Sequence, residues 1–113
     1  MAVTIYHNPR CSKSRQTLAL IEEQGIAPTI VTYLDTPPSQ ATLKDILGKM
    51  GAAPGDIVRK KDAKEAGLDI ASMSDAAIVK AMTEHPAIIE RPIVVSGKKA
   101  AMGRPPESVL DIL

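Results

Sequence analysis

The chain has a single cysteine, Cys11, in the stretch "HNPRCSKSR". Most unpaired cysteines are buried and behave as small hydrophobic groups, and such a cysteine needs apolar neighbours. The neighbours of Cys11 are instead basic and hydroxyl side chains, among them His7, Lys13 and two arginines. Because nearby positive charge stabilises a thiolate, the composition of the stretch favours a reactive cysteine over a structural one.

The position of Cys11 points the same way. The cysteine follows a short apolar run, "VTIY", and precedes an amphipathic run, "TLALIEEQG", so it falls at the start of a predicted helix. Unpaired N–H groups and the helix dipole favour an anion at that position. Ser14 lies three residues further on the same helix face, where its hydroxyl could donate a hydrogen bond to the sulfur. We therefore interpret Cys11 as a nucleophile.

Two kinds of thiol chemistry are excluded by spacing. A dithiol oxidoreductase needs a second cysteine three residues after the first, and that position holds Ser14. The low-molecular-weight phosphatase loop needs an arginine six residues after its cysteine, and that position holds Thr17, while Arg15 is too close. The thiol would therefore act once as a nucleophile and then be regenerated by an outside reductant.

The elements that would position this thiol begin with a β-α-β unit. Ala2–Tyr6 and Thr29–Leu34 are rich in β-branched residues and predict strands. Ser12–Gln24 between them predicts a helix that Gly25 ends. The two strands should be parallel neighbours joined by a right-handed crossover.

Helices are expected through the middle of the chain. The prolines of "DTPPS" suit the first turn of a helix whose apolar stripe is Leu43, Ile46, Leu47 and Met50. Short helical pieces should follow between Pro54 and Pro86. In one of them Ser74 is the N-cap, and the inward residues are Ile78, Ala81 and Met82.

The chain should end in a β-hairpin and a helix. "PIVVS" and "KAAMG" flank Gly97-Lys98 and predict the hairpin, and "PPESVLDIL" predicts a final helix with Pro105 and Pro106 at its start. This order predicts one α/β domain, residues 1–113, with a thioredoxin-like (glutaredoxin-like) fold. Its mixed four-stranded sheet would carry a helical insertion after the second strand.

Three arginines stand out in this layout. A lone arginine is usually a solvated surface charge, but the turns carrying Arg91 and Arg104 should lie near the cysteine turn, and Arg59 lies in the helical insertion. Guanidinium groups that converge on a thiolate would bind a tetrahedral oxyanion through paired hydrogen bonds. The Arg91-Pro92 bond is also a candidate cis peptide.

Composition limits the other functions. The formal net charge of +1 predicts no general nucleic-acid or membrane surface, and the only aromatic residues are Tyr6 and Tyr33. No apolar run approaches the roughly 20 residues of a membrane span, and the N-terminus lacks the pattern of a signal peptide. A single cysteine fits a reducing compartment, so we expect a cytoplasmic protein. We also expect a monomer with no metal site and no tightly bound cofactor.

Four segments carry a resemblance to a known family. "IYHNPRCSKSRQTL", "VRKKD", "HPAIIERPIVV" and "GRPPESVLDIL" resemble, in order and spacing, the glutathione- and glutaredoxin-coupled arsenate reductases of the ArsC type. The resemblance implies that Cys11 attacks arsenate and that His7 and Ser14 activate the thiol. It implies oxyanion binding by Arg59, Arg91 and Arg104, with Asn8 and Pro92 as structural residues of the site.

The implied cycle passes through a cysteine–arsenate adduct. Glutathione would displace hydroxide and reduce As(V) to As(III), glutaredoxin would resolve the mixed disulfide, and arsenite would leave. The chain departs from the family pattern at Ser12 and Lys13, where many members have Gly-Thr, and at Asp62, where glutamate is common. The added lysine could change substrate affinity or the choice of thiol partner.

Two other functions are compatible with the same fold. Regulators of the Spx type bind RNA polymerase, but they usually carry a Cys-x-x-Cys pair, which this chain lacks. A generic glutathione-dependent thiol reductase is the second alternative, and three arginines around the thiol would be excessive for that task.

Overall fold

A β-α-β unit opens the chain in the computed structural model, which describes residues 2–113. Strand β1 is Val3–His7, helix α1 is Ser12–Glu23 and strand β2 is Thr29–Thr32. The two strands are parallel, with Ile5 opposite Ile30. The predicted unit is confirmed, although β2 ends two residues before the predicted strand does.

The β-hairpin completes the sheet. Strands β3, Ile93–Ser96, and β4, Lys99–Met102, are antiparallel, and the turn between them uses Gly97 at a φ of 60°. Because β3 also pairs antiparallel with β1, the strand order is β2-β1-β3-β4. The predicted mixed four-stranded sheet is confirmed.

The last segment is a 3₁₀ helix, Pro106–Ile112. Its first turn closes with Ser108 N–H donating to the carbonyl of Pro105 at 3.0 Å. The expected helix therefore exists but takes the tighter form, which is common for short terminal pieces. It packs against α1 and β4. The apolar core beneath it consists of the buried residues Val3, Ile5, Ile21, Val94 and Val109.

Residues between β2 and β3 form a helical insertion, as predicted. Its α-helices are α2 (Gln40–Met50), α3 (Lys60–Glu65) and α4 (Asp75–Glu84). Short 3₁₀ helices lie between and after them, at Pro54–Ile57, Ile70–Ser72 and Pro86–Ile88. Helix α4 packs against α2, and the inward residues predicted for it, Ile78, Ala81 and Met82, are buried.

Serine side chains begin the two longer helices of the insertion. Ser74 accepts a hydrogen bond from Ala77 N–H at 3.2 Å, which confirms the predicted cap of α4. Ser39 accepts one from Thr42 N–H at 3.1 Å and caps α2 in the same way. The prolines of "DTPPS" therefore precede the cap of α2, and their predicted place in its first turn is wrong. The hydroxyl of a capping serine accepts a hydrogen bond from a helix N–H group, and a proline side chain has no oxygen that could do so.

The chain divides into two compact units. One comprises the chain up to Thr36 together with Arg91–Leu113, and the other is the insertion, Pro37–Glu90. Assignment of residues 1–113 to one domain stays a prediction. No helix within residues 2–113 is long and apolar enough to cross a membrane.

Candidate active site

Cys11 is the N-cap residue of α1. Its backbone is extended, with φ −91° and ψ 124°, and its carbonyl accepts the first helical hydrogen bond from Arg15 N–H at 3.0 Å. Cys11 is half-buried and forms no disulfide. It therefore lies where the first turn of a twelve-residue helix presents unpaired N–H groups.

The turn before Cys11 is held by its own hydrogen bonds. The carbonyl of Asn8 accepts from Cys11 N–H at 3.0 Å, and the side-chain oxygen of Asn8 accepts from Arg10 N–H at 3.0 Å. The Arg15 guanidinium donates to the carbonyl of Pro9 at 2.9 Å. Asn8 is buried, so these bonds fix the loop that presents the thiol. The role of Asn8 as a structural residue of the site stays a prediction.

Ser14 is fully buried and serves the same turn. Its hydroxyl lies 2.6 Å from His7 Nδ1 and accepts a hydrogen bond from Asn8 N–H at 3.0 Å. These are its hydrogen-bond partners within residues 2–113, so the predicted bond from Ser14 to the sulfur is not formed. The serine points from α1 toward the end of β1, because the Asn8 N–H needs an acceptor there. Ser14 supports the thiol by ordering the loop around it.

His7 is also buried, at 6% exposure. Burial lowers the pKa of the imidazole below 6.5, and the nearby Arg15 guanidinium lowers it further. Both effects disfavour the imidazolium. His7 is therefore neutral at neutral pH, and the expectation that it adds positive charge beside the thiol is wrong. The activation of the thiol by His7 stays a prediction, and the contact that could carry it is the hydrogen bond between His7 and Ser14.

Arg104 provides the positive charge at the sulfur. Its Nη2 lies 3.8 Å from Cys11 Sγ, within hydrogen-bond range for sulfur. Its Nε donates to the carbonyl of Arg91 at 2.8 Å, so the backbone at Arg91 orients the guanidinium. The predicted convergence of these two turns on the cysteine turn is confirmed for Arg104 and for the backbone of Arg91. The Arg91-Pro92 peptide is cis, as expected, and so is Arg104-Pro105, for which no prediction was made.

Arg59 lies in the insertion, where it is the N-cap residue of α3. Its Nε lies 3.4 Å from the Asp62 carboxylate and 3.8 Å from the Glu90 carboxylate. Its backbone N–H donates to the carbonyl of Ile88 at 2.7 Å. Asp62, one of the departures from the family pattern, therefore still supplies a carboxylate to Arg59. The role of Arg59 in oxyanion binding stays a prediction.

The sequence pattern of the ArsC family matches residues 6–112. The chain belongs to the ArsC family. Its relatives include proteins named arsenate reductase from Haemophilus influenzae, 51% identical with both chains fully covered, and from Neisseria meningitidis serogroup A, 50% identical over 98% of this chain and 97% of the other.

Solved structures give the same result. The structure titled arsenate reductase from Vibrio cholerae matches with a TM-score of 0.94 at 50% identity, covering all of this chain and 98% of that one. The thioredoxin-like assignment made from the order of elements is therefore confirmed. A relative named arsenate reductase from Escherichia coli is 42% identical, and the match covers 98% of this chain and 80% of the relative.

The close packing of Gly103 against Thr17 and Pro92 was not predicted from the sequence. A Cβ at Gly103 would lie 2.7 Å from Pro92 Cγ and would collide with Thr17 Oγ1, so only glycine allows this close approach. Gly103 N–H also donates to the Pro92 carbonyl at 2.9 Å, directly before Arg104. The sequence "GRPP" could have predicted this packing, because a glycine beside a candidate functional arginine often marks a close approach of the backbone.

The arrangement combines a half-exposed nucleophile with a fixed cation. A tetrahedral oxyanion approaching the Cys11 sulfur would meet the Arg104 guanidinium, whose planar set of donors suits such an anion. No cluster of three or more histidine, cysteine or acidic side chains that could hold a metal ion occurs within residues 2–113. The Cys11 sulfur and the Arg104 guanidinium, placed 3.8 Å apart, suit nucleophilic attack on an oxyanion.

Proposed function

We propose that the protein reduces arsenate to arsenite, with Cys11 as the nucleophile and glutathione and glutaredoxin as the external thiols. The observation that carries the proposal is the 3.8 Å approach of Arg104 Nη2 to Cys11 Sγ at the start of α1. The names of the relatives from Haemophilus influenzae and Neisseria meningitidis support arsenate as the substrate.

The first step joins sulfur to arsenic. The Cys11 thiolate attacks arsenate, an S–As bond forms, and one oxygen leaves as water after protonation. Arsenic remains As(V) in this adduct. Arg104 would hold the arsenate oxygens during the attack and balance their negative charge. Arg91 is expected to assist from the neighbouring turn, and Arg59 from the insertion.

The second stage needs two electrons from outside the chain. A thiol, RSH, displaces hydroxide from the arsenic of the adduct, and the hydroxide leaves as water with the proton of the thiol. The two sulfurs on arsenic then join in an S–S bond while both S–As bonds break, and one electron pair stays on arsenic. Arsenite leaves as As(III), and Cys11 becomes a mixed disulfide with the thiol. A second thiol then exchanges with this disulfide and restores Cys11. Because the chain has one cysteine, both electrons must come from partners, glutathione first and glutaredoxin second. These thiols are abundant in the cytoplasm, and we propose that the reaction takes place there. We also propose that the enzyme is a monomer.

Protection of the thiol from alkylation tests this site. Iodoacetamide is added with and without arsenate, and modification of Cys11 is followed by mass spectrometry. Arsenate is expected to slow alkylation in the unmodified protein, and the protection should be lost in Arg104→Gln. Lys98→Gln is the matched control, since Lys98 is an exposed cation on the turn of the hairpin. Equal alkylation rates with and without arsenate would contradict the proposal.

A further inference from the structure

A cleft of about 320 Å³ adjoins the cysteine turn. It lies between the segments that follow β1 and β2, whose carboxyl ends meet at one edge of the sheet because the strands are parallel. Its lining residues are Asn8, Pro9, Arg10, Thr32, Leu34 and Asp35. Since the Asn8 carbonyl accepts the hydrogen bond from Cys11 N–H, the cleft shares a wall with the loop that presents the thiol.

Opposite charges line this cleft. Arg10 and Asp35 are both exposed, and neither side chain forms an ion pair within residues 2–113. Leu34 is 43% exposed and supplies an apolar surface between polar groups. Asp35 is held in place by its backbone N–H, which donates to the Thr32 carbonyl at 3.0 Å. A small ligand that carries both a carboxylate and an ammonium group would satisfy both charges.

We propose that this cleft binds the peptide thiol that reduces the Cys11 adduct, a ligand of the glutathione type. Arg10 binds a carboxylate of the tripeptide through its planar donors, and Asp35 binds the ammonium group. The volume lies at the lower end of the range for small-molecule sites, which suits part of a tripeptide whose thiol points out toward Cys11. The inference rests on the proposed function for its choice of thiol.

A disulfide exchange reaction tests the site without arsenate. Cys11 is first converted with Ellman's reagent to its thionitrobenzoate disulfide. An incoming thiolate then attacks the Cys11 sulfur, a new S–S bond forms, and coloured thionitrobenzoate leaves. Rates are measured against the concentration of glutathione and, separately, of 2-mercaptoethanol, a small thiol without charges. The readout is the ratio of the two second-order rate constants, which cancels any change in the reactivity of Cys11 itself.

Arg10→Gln and Asp35→Asn are each expected to lower the glutathione-to-mercaptoethanol ratio about threefold or more, since each removes one charged contact at a partly exposed site. Lys98→Gln and Glu22→Gln are the matched controls, because both residues are exposed and lie outside the cleft. Their ratios should equal that of the unmodified chain. A ratio that is unchanged in both cleft variants would overturn the inference.

Binding can be mapped independently with S-methylglutathione, which cannot react. In two-dimensional amide NMR spectra, the largest shift changes should fall on residues of the cleft, and they should weaken in Asp35→Asn. Shifts centred on another surface would overturn the assignment of the cleft. These outcomes do not depend on arsenate, so a protein that fails to reduce arsenate could still bind glutathione here, and the two proposals fail separately.

Discussion

Replacing Ser14 with alanine tests the hydrogen-bond network beneath the thiol. Ser14 is fully buried, and its hydroxyl joins His7 Nδ1 at 2.6 Å to Asn8 N–H at 3.0 Å. Both partners are themselves buried, so the variant leaves two polar groups without a protein partner. Each such group costs about 1–3 kcal/mol. Ser14→Ala should therefore lower the free energy of unfolding by about 2–6 kcal/mol, a large share of the 5–15 kcal/mol typical of a domain.

Urea unfolding followed by circular dichroism measures this change. Ser72→Ala is the matched control, because Ser72 is exposed and, within residues 2–113, its hydroxyl donates a hydrogen bond only to the Asp69 carbonyl, at 3.0 Å. The control should change the free energy of unfolding by about 0.5 kcal/mol or less. If Ser14→Ala changed it by no more than the control does, the hydroxyl would not be satisfying buried groups. The ordered-loop interpretation of Ser14 would then be refuted.

Three further predictions concern the same unit. Gly103→Ala should lower the free energy of unfolding by about 1–3 kcal/mol, because its Cβ would lie 2.7 Å from Pro92 Cγ. The variant should also weaken the protection of the thiol by arsenate, because it would displace Arg104. Unchanged stability in urea would contradict this. His7 is buried with a lowered pKa, so the unfolded chain binds the extra proton and stability should fall as pH drops below about 6.5. His7→Asn, which does not titrate, should flatten that decline in urea unfolding at several pH values, and an equally steep decline would refute it. Arg91→Ala should lose turnover at low arsenate concentration. It should keep its fold and the orientation of Arg104, because the carbonyl that accepts from Arg104 belongs to the backbone. Full turnover at low arsenate concentration would show that the Arg91 side chain does not bind the substrate.

The order of elements could be predicted from the sequence because each follows from local patterns. β-branched runs, a capped amphipathic helix and a hairpin turn at Gly97 are all local signals, and they gave the sheet and the insertion. The boundaries of the elements follow less directly from local patterns. The prolines of "DTPPS" predicted an earlier start for α2 than the structure shows. The helix begins after Ser39, because the Ser39 hydroxyl accepts the hydrogen bond from Thr42 N–H.

The site could be predicted only in part. Sequence spacing identified Cys11 and Arg104, but it could not show that the guanidinium reaches the sulfur across 93 residues of chain. It also gave Ser14 the wrong partner and His7 the wrong charge, because both depend on burial and on a competing acceptor nearby. Long-range packing of this kind leaves no periodic pattern in a single sequence.

Arsenate-dependent NADPH consumption tests the central claim most directly. The assay couples the protein to glutathione, glutaredoxin and glutathione reductase, and it is run beside Cys11→Ser. The account predicts consumption that requires every component and disappears in the variant. Activity retained in Cys11→Ser, or no arsenate-dependent consumption by the unmodified protein, would contradict it.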